Sequence, residues 1–281
     1  MNQVSALTSA IVAEGGAMRG IFTAGVLDAL MQAKHCPFDF AVGVSAGSTN
    51  LIGYLCQAPG RSKQIICDHA TRDDFISWRR YLRGGHFCDV SWLWHASFAD
   101  IPLDLQYYQR QKRPLWVVTT GVHSGKSHYF KISPDNLHQV FPASCAVPLA
   151  YRNYPVIDGE PMTDGGLTDS IPVEFAYRQG ARDITVILSK PLGYQKRKSA
   201  LPVLTRPFFR GYPKLYAAVL RRAQRYNRAL QFITVPPLDC RIRVISPPAD
   251  FKVGRFTKDT ALLEQGYLQG IGAAQIYLQD V

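Results

Sequence analysis

Apolar positions along this chain switch between two repeats. Residues 8–13 form a short apolar run that reads as a buried strand, and Ile21, Phe22, Val26, Leu27 and Leu30 then recur at helical spacing. Residues 38–44 predict a second strand and 46–57 a second helix. Strand–helix alternation of this kind argues for an α/β fold built on a parallel sheet. Further on, 115–120 and 128–132 read as strands joined by a turn at His123-Ser124-Gly125-Lys126. Residues 154–157 and 160–163 flank Asp158-Gly159, a strong two-residue hairpin signal. A strand at 184–188, a Pro- and Lys-rich linker after Lys190, a long helix over 214–232, a strand at 241–245 and a helix over 259–278 complete the pattern. Residues 60–110 are rich in Trp, His, Arg and Tyr but poorly periodic, and read as peripheral helices and loops. There is no internal repeat and no low-complexity tract.

Composition adds limits. No apolar run approaches the ~18 residues needed to cross a bilayer, and the N-terminus lacks the basic and apolar regions of a signal peptide. The six cysteines are scattered without a C-x-x-C pair, which suits free thiols in a reducing cytosol and argues against structural zinc. The net charge of +11 is uneven: between Arg178 and Arg228 lie 13 Lys or Arg and one acid, Asp183, so this stretch carries all of the excess. An anionic partner is implied, and no recognisable nucleic-acid-binding module accompanies the charge. On a helical wheel Leu215, Val219, Ala223, Tyr226 and Leu230 share one arc, and Lys214, Arg221, Arg222, Arg225 and Arg228 take the other side. A basic amphipathic helix suits peripheral docking on an anionic membrane; a helix packed on the core with a solvated basic face fits the pattern equally well.

Three motifs carry chemistry. Gly43-Val44-Ser45-Ala46-Gly47 sits between the second strand and the second helix, the context of a nucleophile elbow. All seven histidines precede residue 139, so the late histidine of a Ser…Asp…His relay is absent. The alternative for Ser45 is a helix cap. The turn Gly15-Gly16-Ala17-Met18-Arg19-Gly20 can aim backbone N–H groups at an oxyanion. It is not a Walker A loop, because Gly20 is followed by Ile21, and it lacks the G-x-G-x-x-G dinucleotide fingerprint. Asp164-Gly165-Gly166 offers a carboxylate base, whereas Asp158 belongs to the hairpin turn and Asp169 to the cap of a helix opened by Ile171-Pro172.

Together, Gly-Gly-x-x-Arg-Gly, Gly-x-Ser-x-Gly and a downstream Asp-Gly-Gly, with Ala143-Ser144-Cys145-Ala146-Val147-Pro148, Tyr154, Pro155 and Pro172 between and after them, resemble the patatin-like phospholipase family over about residues 8–190. The family turn usually opens with one more glycine, where this chain has Glu14, and Ala17 replaces its middle glycine. The resemblance implies a three-layer α/β/α fold over 1–190, with 191–281 as a basic, mainly helical extension packed on it. It implies a Ser45–Asp164 dyad acting on lipid acyl esters, an oxyanion site along Gly15, Gly16, Ala17, Met18, Arg19 and Gly20, motif glycines Gly43, Gly47, Gly165 and Gly166, and neither metal nor cofactor. A buried Asp164 would have a raised pKa, which would suit a base. The rival expectation is a catalytically silent member that binds lipid or protein through the basic segment.

Overall fold

The computed structural model describes residues 8–197 and 201–280; the first seven residues and 198–200 of the Pro- and Lys-rich stretch lie outside it. Eight strands, β1 (Ser9–Ala13), β2 (Phe40–Val44), β3 (Leu115–Gly121), β4 (Ser127–Lys131), β5 (Val156–Ile157), β6 (Glu160–Asp164), β7 (Asp183–Ile187) and β8 (Arg241–Ile245), form one sheet ordered β5-β6-β3-β2-β1-β7-β8, with β4 also paired to β3. The run β3-β2-β1-β7-β8 is parallel; β4, β5 and β6 are antiparallel. Asp158 and Gly159 both take positive φ, 50° and 79°, which closes the predicted hairpin between β5 and β6.

The helices are α1 (Gly20–Gln32), α2 (Ala46–Leu55), α3 (Arg61–Gln64, continued by a π turn to His69), α4 (Trp78–Leu82), α5 (Val90–Asp100), α6 (Leu105–Gln111), α7 (Leu137–Cys145), α8 (Val173–Arg178), α9 (Leu201–Leu204), α10 (Pro213–Thr234) and α11 (Thr260–Gln279). Alternate residues of β1 point to opposite faces. Ile11 and Ala13 pack against α1, α2, α7 and α11, while Ala10 and Val12 pack against α8 and α10. Both faces are covered, so the strand reads as an unbroken apolar run. The segment after 190 shares this core, since β8 extends the sheet beside β7 and α10 closes one face.

Helix α1 is buried on almost every side because α11 covers the flank turned away from the sheet. Glycines allow the approach: a Cβ on Gly25 would overlap the Tyr267 carbonyl oxygen, and one on Gly270 the Phe22 carbonyl oxygen. Asp28, buried at this interface, accepts hydrogen bonds from the Tyr267 hydroxyl (2.8 Å) and the Gly60 N–H (3.1 Å). Gly270→Ala forces backbone apart in a packed helix pair, so it is expected to cost about 2 kcal/mol and lower the melting temperature by about 4–8 °C in a thermal unfolding scan.

Candidate active site

The site lies where β1, β2 and β7 end, at the point where the strand order reverses and an open α/β sheet leaves a crevice. Ser45 follows β2 with φ 51° and ψ −129°, a conformation that a non-glycine residue holds only when its surroundings enforce it. Two glycines do so. A Cβ on Gly43 would stand 2.5 Å from the Ser48 Cα, and one on Gly47 would stand 2.5 Å from the Ala13 carbonyl oxygen. Ser144, fully buried on α7, braces the turn: it accepts the Ser45 N–H at 2.8 Å and donates to the Val118 carbonyl at 2.7 Å. The Ser45 side chain caps no helix N–H.

Asp164 reaches Ser45 through strand register. On β3, Val118 pairs with Val44 of β2, and the next residue, Thr119, pairs with Asp164 of β6. The serine that follows Val44 and the aspartate opposite Thr119 therefore meet at the same level of the sheet. Asp164 is 5% exposed, its N–H donates to the Ala146 carbonyl (3.0 Å), and its Oδ1 accepts the Gly166 N–H (2.7 Å). Burial raises its pKa above the ordinary carboxylate range; the Arg222 guanidinium, the Gly166 N–H, Arg255 and the Ser45 hydroxyl pull the other way. The neighbouring Cys145 thiol is pushed up to about 12, mainly by burial and then by the Asp164 charge, and so stays protonated.

The glycine turn lies against the elbow: a Cβ on Gly15 would be 2.9 Å from the Val44 carbonyl oxygen and 3.2 Å from the Ser45 Cβ. Its 17–19 portion is a 3-10 turn that leads into α1 at Gly20. Ala17 adopts φ 51°, the left-handed region where a glycine would sit without strain. The Gly15, Gly16 and Ala17 N–H groups donate no hydrogen bond among the described residues, whereas Met18 N–H meets the Arg255 carbonyl at 3.4 Å. Arg19 turns inward beside Glu14, which is itself buried and accepts the Ser189 N–H at 2.7 Å. Glu14, standing at the place of the family's extra glycine, is thus part of a buried charge cluster.

The basic helix departs from expectation. The buried stripe of α10 runs through Leu215, Ala218, Tyr226, Ala229 and Ile233, and Arg222 falls within it, not on the outer face. Arg222 Nε donates to the Gly166 carbonyl at 2.7 Å, two residues on from Asp164. Lys196 joins this cluster, its Nζ over the Tyr226 ring at 4.4 Å. Burial, then Arg222 and Arg255, bring its pKa down to about 7. Asp169 is also placed differently: it caps no helix and accepts the Tyr129 hydroxyl at 2.7 Å.

Ser45 opens into an apolar cavity bordered by Met18, Ile66, Phe75, Val90, Trp94 and Phe141. Residues between Arg61 and Ser97 therefore supply much of the wall of this cavity, in a stretch expected to be peripheral. No histidine borders it, and no group of three or more His, Cys, Asp or Glu side chains suited to a metal occurs among the described residues. Ser144, Arg222 and the cavity wall escaped the sequence reading. The signals available were the Ser144-Cys145 pair inside a quoted motif and the capping aspartates Asp89 and Asp104, which accept the Trp92 and Tyr107 N–H groups and mark the starts of α5 and α6.

The patatin-like phospholipase family matches residues 11–177, and a domain of unknown function, DUF6363, matches residues 212–281. The uncharacterized protein YjjU of Escherichia coli K12 is 34% identical over 243 residues, covering 85% of this chain and 68% of that protein. VipD from Legionella pneumophila aligns at 13% identity with a TM-score of 0.47, covering 96% of this chain and 67% of its own. With the match at 11–177 spanning more than half of its length, the chain belongs to the patatin-like phospholipase family.

Proposed function

We propose that the protein hydrolyses carboxylic esters of lipids through an acyl-enzyme on Ser45, with Asp164 as general base. The observation that carries this reading is the register of β3, which sets a strained, glycine-bracketed serine beside a buried carboxylate at the mouth of an apolar cavity. Asp164 takes the Ser45 proton as Oγ attacks the ester carbonyl, and the C–O bond to the alcohol breaks as that alcohol receives the proton. Water then attacks the acyl-serine by the same route in reverse. The amides of Gly15, Gly16 and Ala17, which donate to no described residue, are the proposed oxyanion donors, aided by the positive end of α2. Met18 and the cavity side chains receive the acyl chain.

Burial of Asp164 serves the chemistry. An ordinary aspartate, near pKa 3.9, is a weak base toward a hydroxyl. Removing it from water destabilises its charge and strengthens its pull on a proton, while Arg222 opposes that shift by favouring the ionised form.

Two measurements test the assignment. Ser45→Ala is expected to abolish labelling by a fluorophosphonate, and Asp164→Asn to lower kcat on p-nitrophenyl butyrate by about 10²–10⁴-fold with the fold intact by circular dichroism. Wild-type turnover in Asp164→Asn would overturn the dyad. The acid limb of kcat/KM reports Asp164, because only the carboxylate accepts the proton, and so lies above the ordinary carboxylate range. Arg222→Met removes the largest charge that favours the ionised form, so the Asp164 pKa rises further and the limb moves to higher pH. A limb that stays in place, read from a pH–rate profile, would mean that Arg222 does not act on the base.

A further inference from the structure

Residues 73–89 form a small lobe at the outer lip of the cavity. Arg80 ties it together: Nε donates to the His86 carbonyl (2.9 Å), and the terminal nitrogens donate to the carbonyls of Asp73 (3.1 Å), Asp74 (2.8 Å) and Phe75 (2.7 Å). Arg152 lies over the Tyr81 ring at 4.6 Å and donates to the Tyr81 carbonyl at 3.1 Å. Lys258 fastens the lobe to the segment after β8 through Asp73 (2.7 Å) and the Ile76 carbonyl (3.3 Å). A lobe so heavily cross-linked still leaves two large apolar side chains of α4 in solvent: Trp78 is 66% exposed and Leu82 84%.

These side chains connect to the cavity. The Trp78 ring sits 4.4 Å from that of Phe87, whose ring meets Phe256 edge-on at 5.4 Å. Phe256 is 51% exposed and borders the cavity that holds Ser45. Charge around this strip is positive. Arg79 and Arg83 are exposed and make no side-chain hydrogen bond or ion pair among the described residues. The nearby acids Asp73 and Asp74 are already paired, with Lys258 and Arg72. On the expected docking face of α10, by contrast, Arg222 is turned inward and Arg228 is paired with Glu174.

We propose that this lip is the surface by which the protein sits on an anionic phospholipid bilayer. Trp78, Leu82 and Phe256 enter the interface, and Arg79 and Arg83 meet the headgroups. A substrate ester then passes from the bilayer along the aromatic strip into the cavity without crossing bulk water. The proposal rests on the lipid-ester reading above, because it takes the cavity as the destination.

The test is sedimentation with sucrose-loaded vesicles of phosphatidylcholine and phosphatidylglycerol, alongside hydrolysis of p-nitrophenyl butyrate. Wild type should bind these vesicles and not pure phosphatidylcholine. Arg79→Gln/Arg83→Gln should weaken binding by about 30-fold, as expected when two arginines leave the reach of an anionic surface. Trp78→Ala/Leu82→Ala should abolish it, and Leu82→Glu, at a side chain almost wholly in solvent, provides a second variant that leaves the core untouched. Turnover of the soluble ester should stay within about twofold in all of them, since none borders the cavity. Absence of wild-type binding, unchanged binding in the α4 variants, or loss of binding in Lys214→Gln/Arg221→Gln on α10 instead, would overturn the proposal. Failure of the hydrolase reading appears separately, as absent ester turnover with vesicle binding intact.

Discussion

Val118 and Thr119 are neighbours on β3, and their partners in the sheet are Val44 and Asp164. Everything proposed for the site depends on that pair of rungs. Strand β2 stops where its last residue is paired, the chain turns sharply at Ser45, and β6 fills the place that β2 vacates. A slip of one residue in β6 would turn Asp164 to the other face of the sheet. The glycines around the elbow follow from the same constraint. Backbone must approach backbone for the turn to fit, and Gly43 and Gly47 lie closer to neighbouring main chain than any Cβ would permit.

Much of this was legible in the sequence, for local reasons. Ala10 to Ala13 announce a strand, Asp158-Gly159 a hairpin, and the spacing of Ile21, Phe22, Val26 and Leu27 a helix, because each signal is complete within a few residues. The residue types of the proposed dyad were equally local. Their meeting was not, because it comes from the pairing of β3 with β6, distant in sequence. Helix α7 was missed because Pro142 lies inside it, and proline reads as a breaker. Arg222 was assigned to solvent because a helical wheel weighs hydrophobicity alone; a guanidinium bonded to a main-chain carbonyl and near a buried carboxylate looks the same as a solvated one. The 60–110 region hides its helices because its side chains face a cavity and not a flat layer, so no single stripe emerges.

The interior at the ends of the strands is unusually charged. Glu14 and Asp164 are buried beside Arg19, Arg222 and Lys196, with the exposed Arg255 acting on them as well, and no one ion pair accounts for the arrangement. Such groups are tolerated because main chain shares the load: Gly166 and Ser189 donate to the acids, and the Gly166 carbonyl accepts from Arg222. The electrostatics of the site thus draw on both matched regions of the chain, 11–177 and 212–281.

The inward Arg222 has a consequence for how the protein is made. A chain leaves the ribosome from its N-terminus. Elbow, glycine turn and Asp164 are therefore all synthesised before the helix whose guanidinium settles over them, and Arg255 and β8 come later still. Closing contacts of such sequence separation is slow and late in folding. Until they close, Asp164 lacks the charges of Arg222 and Arg255, and the glycine turn lacks the Arg255 carbonyl at Met18. The proposed site is then complete only once residues 222 and 255 have been made and placed, a delay written into topology.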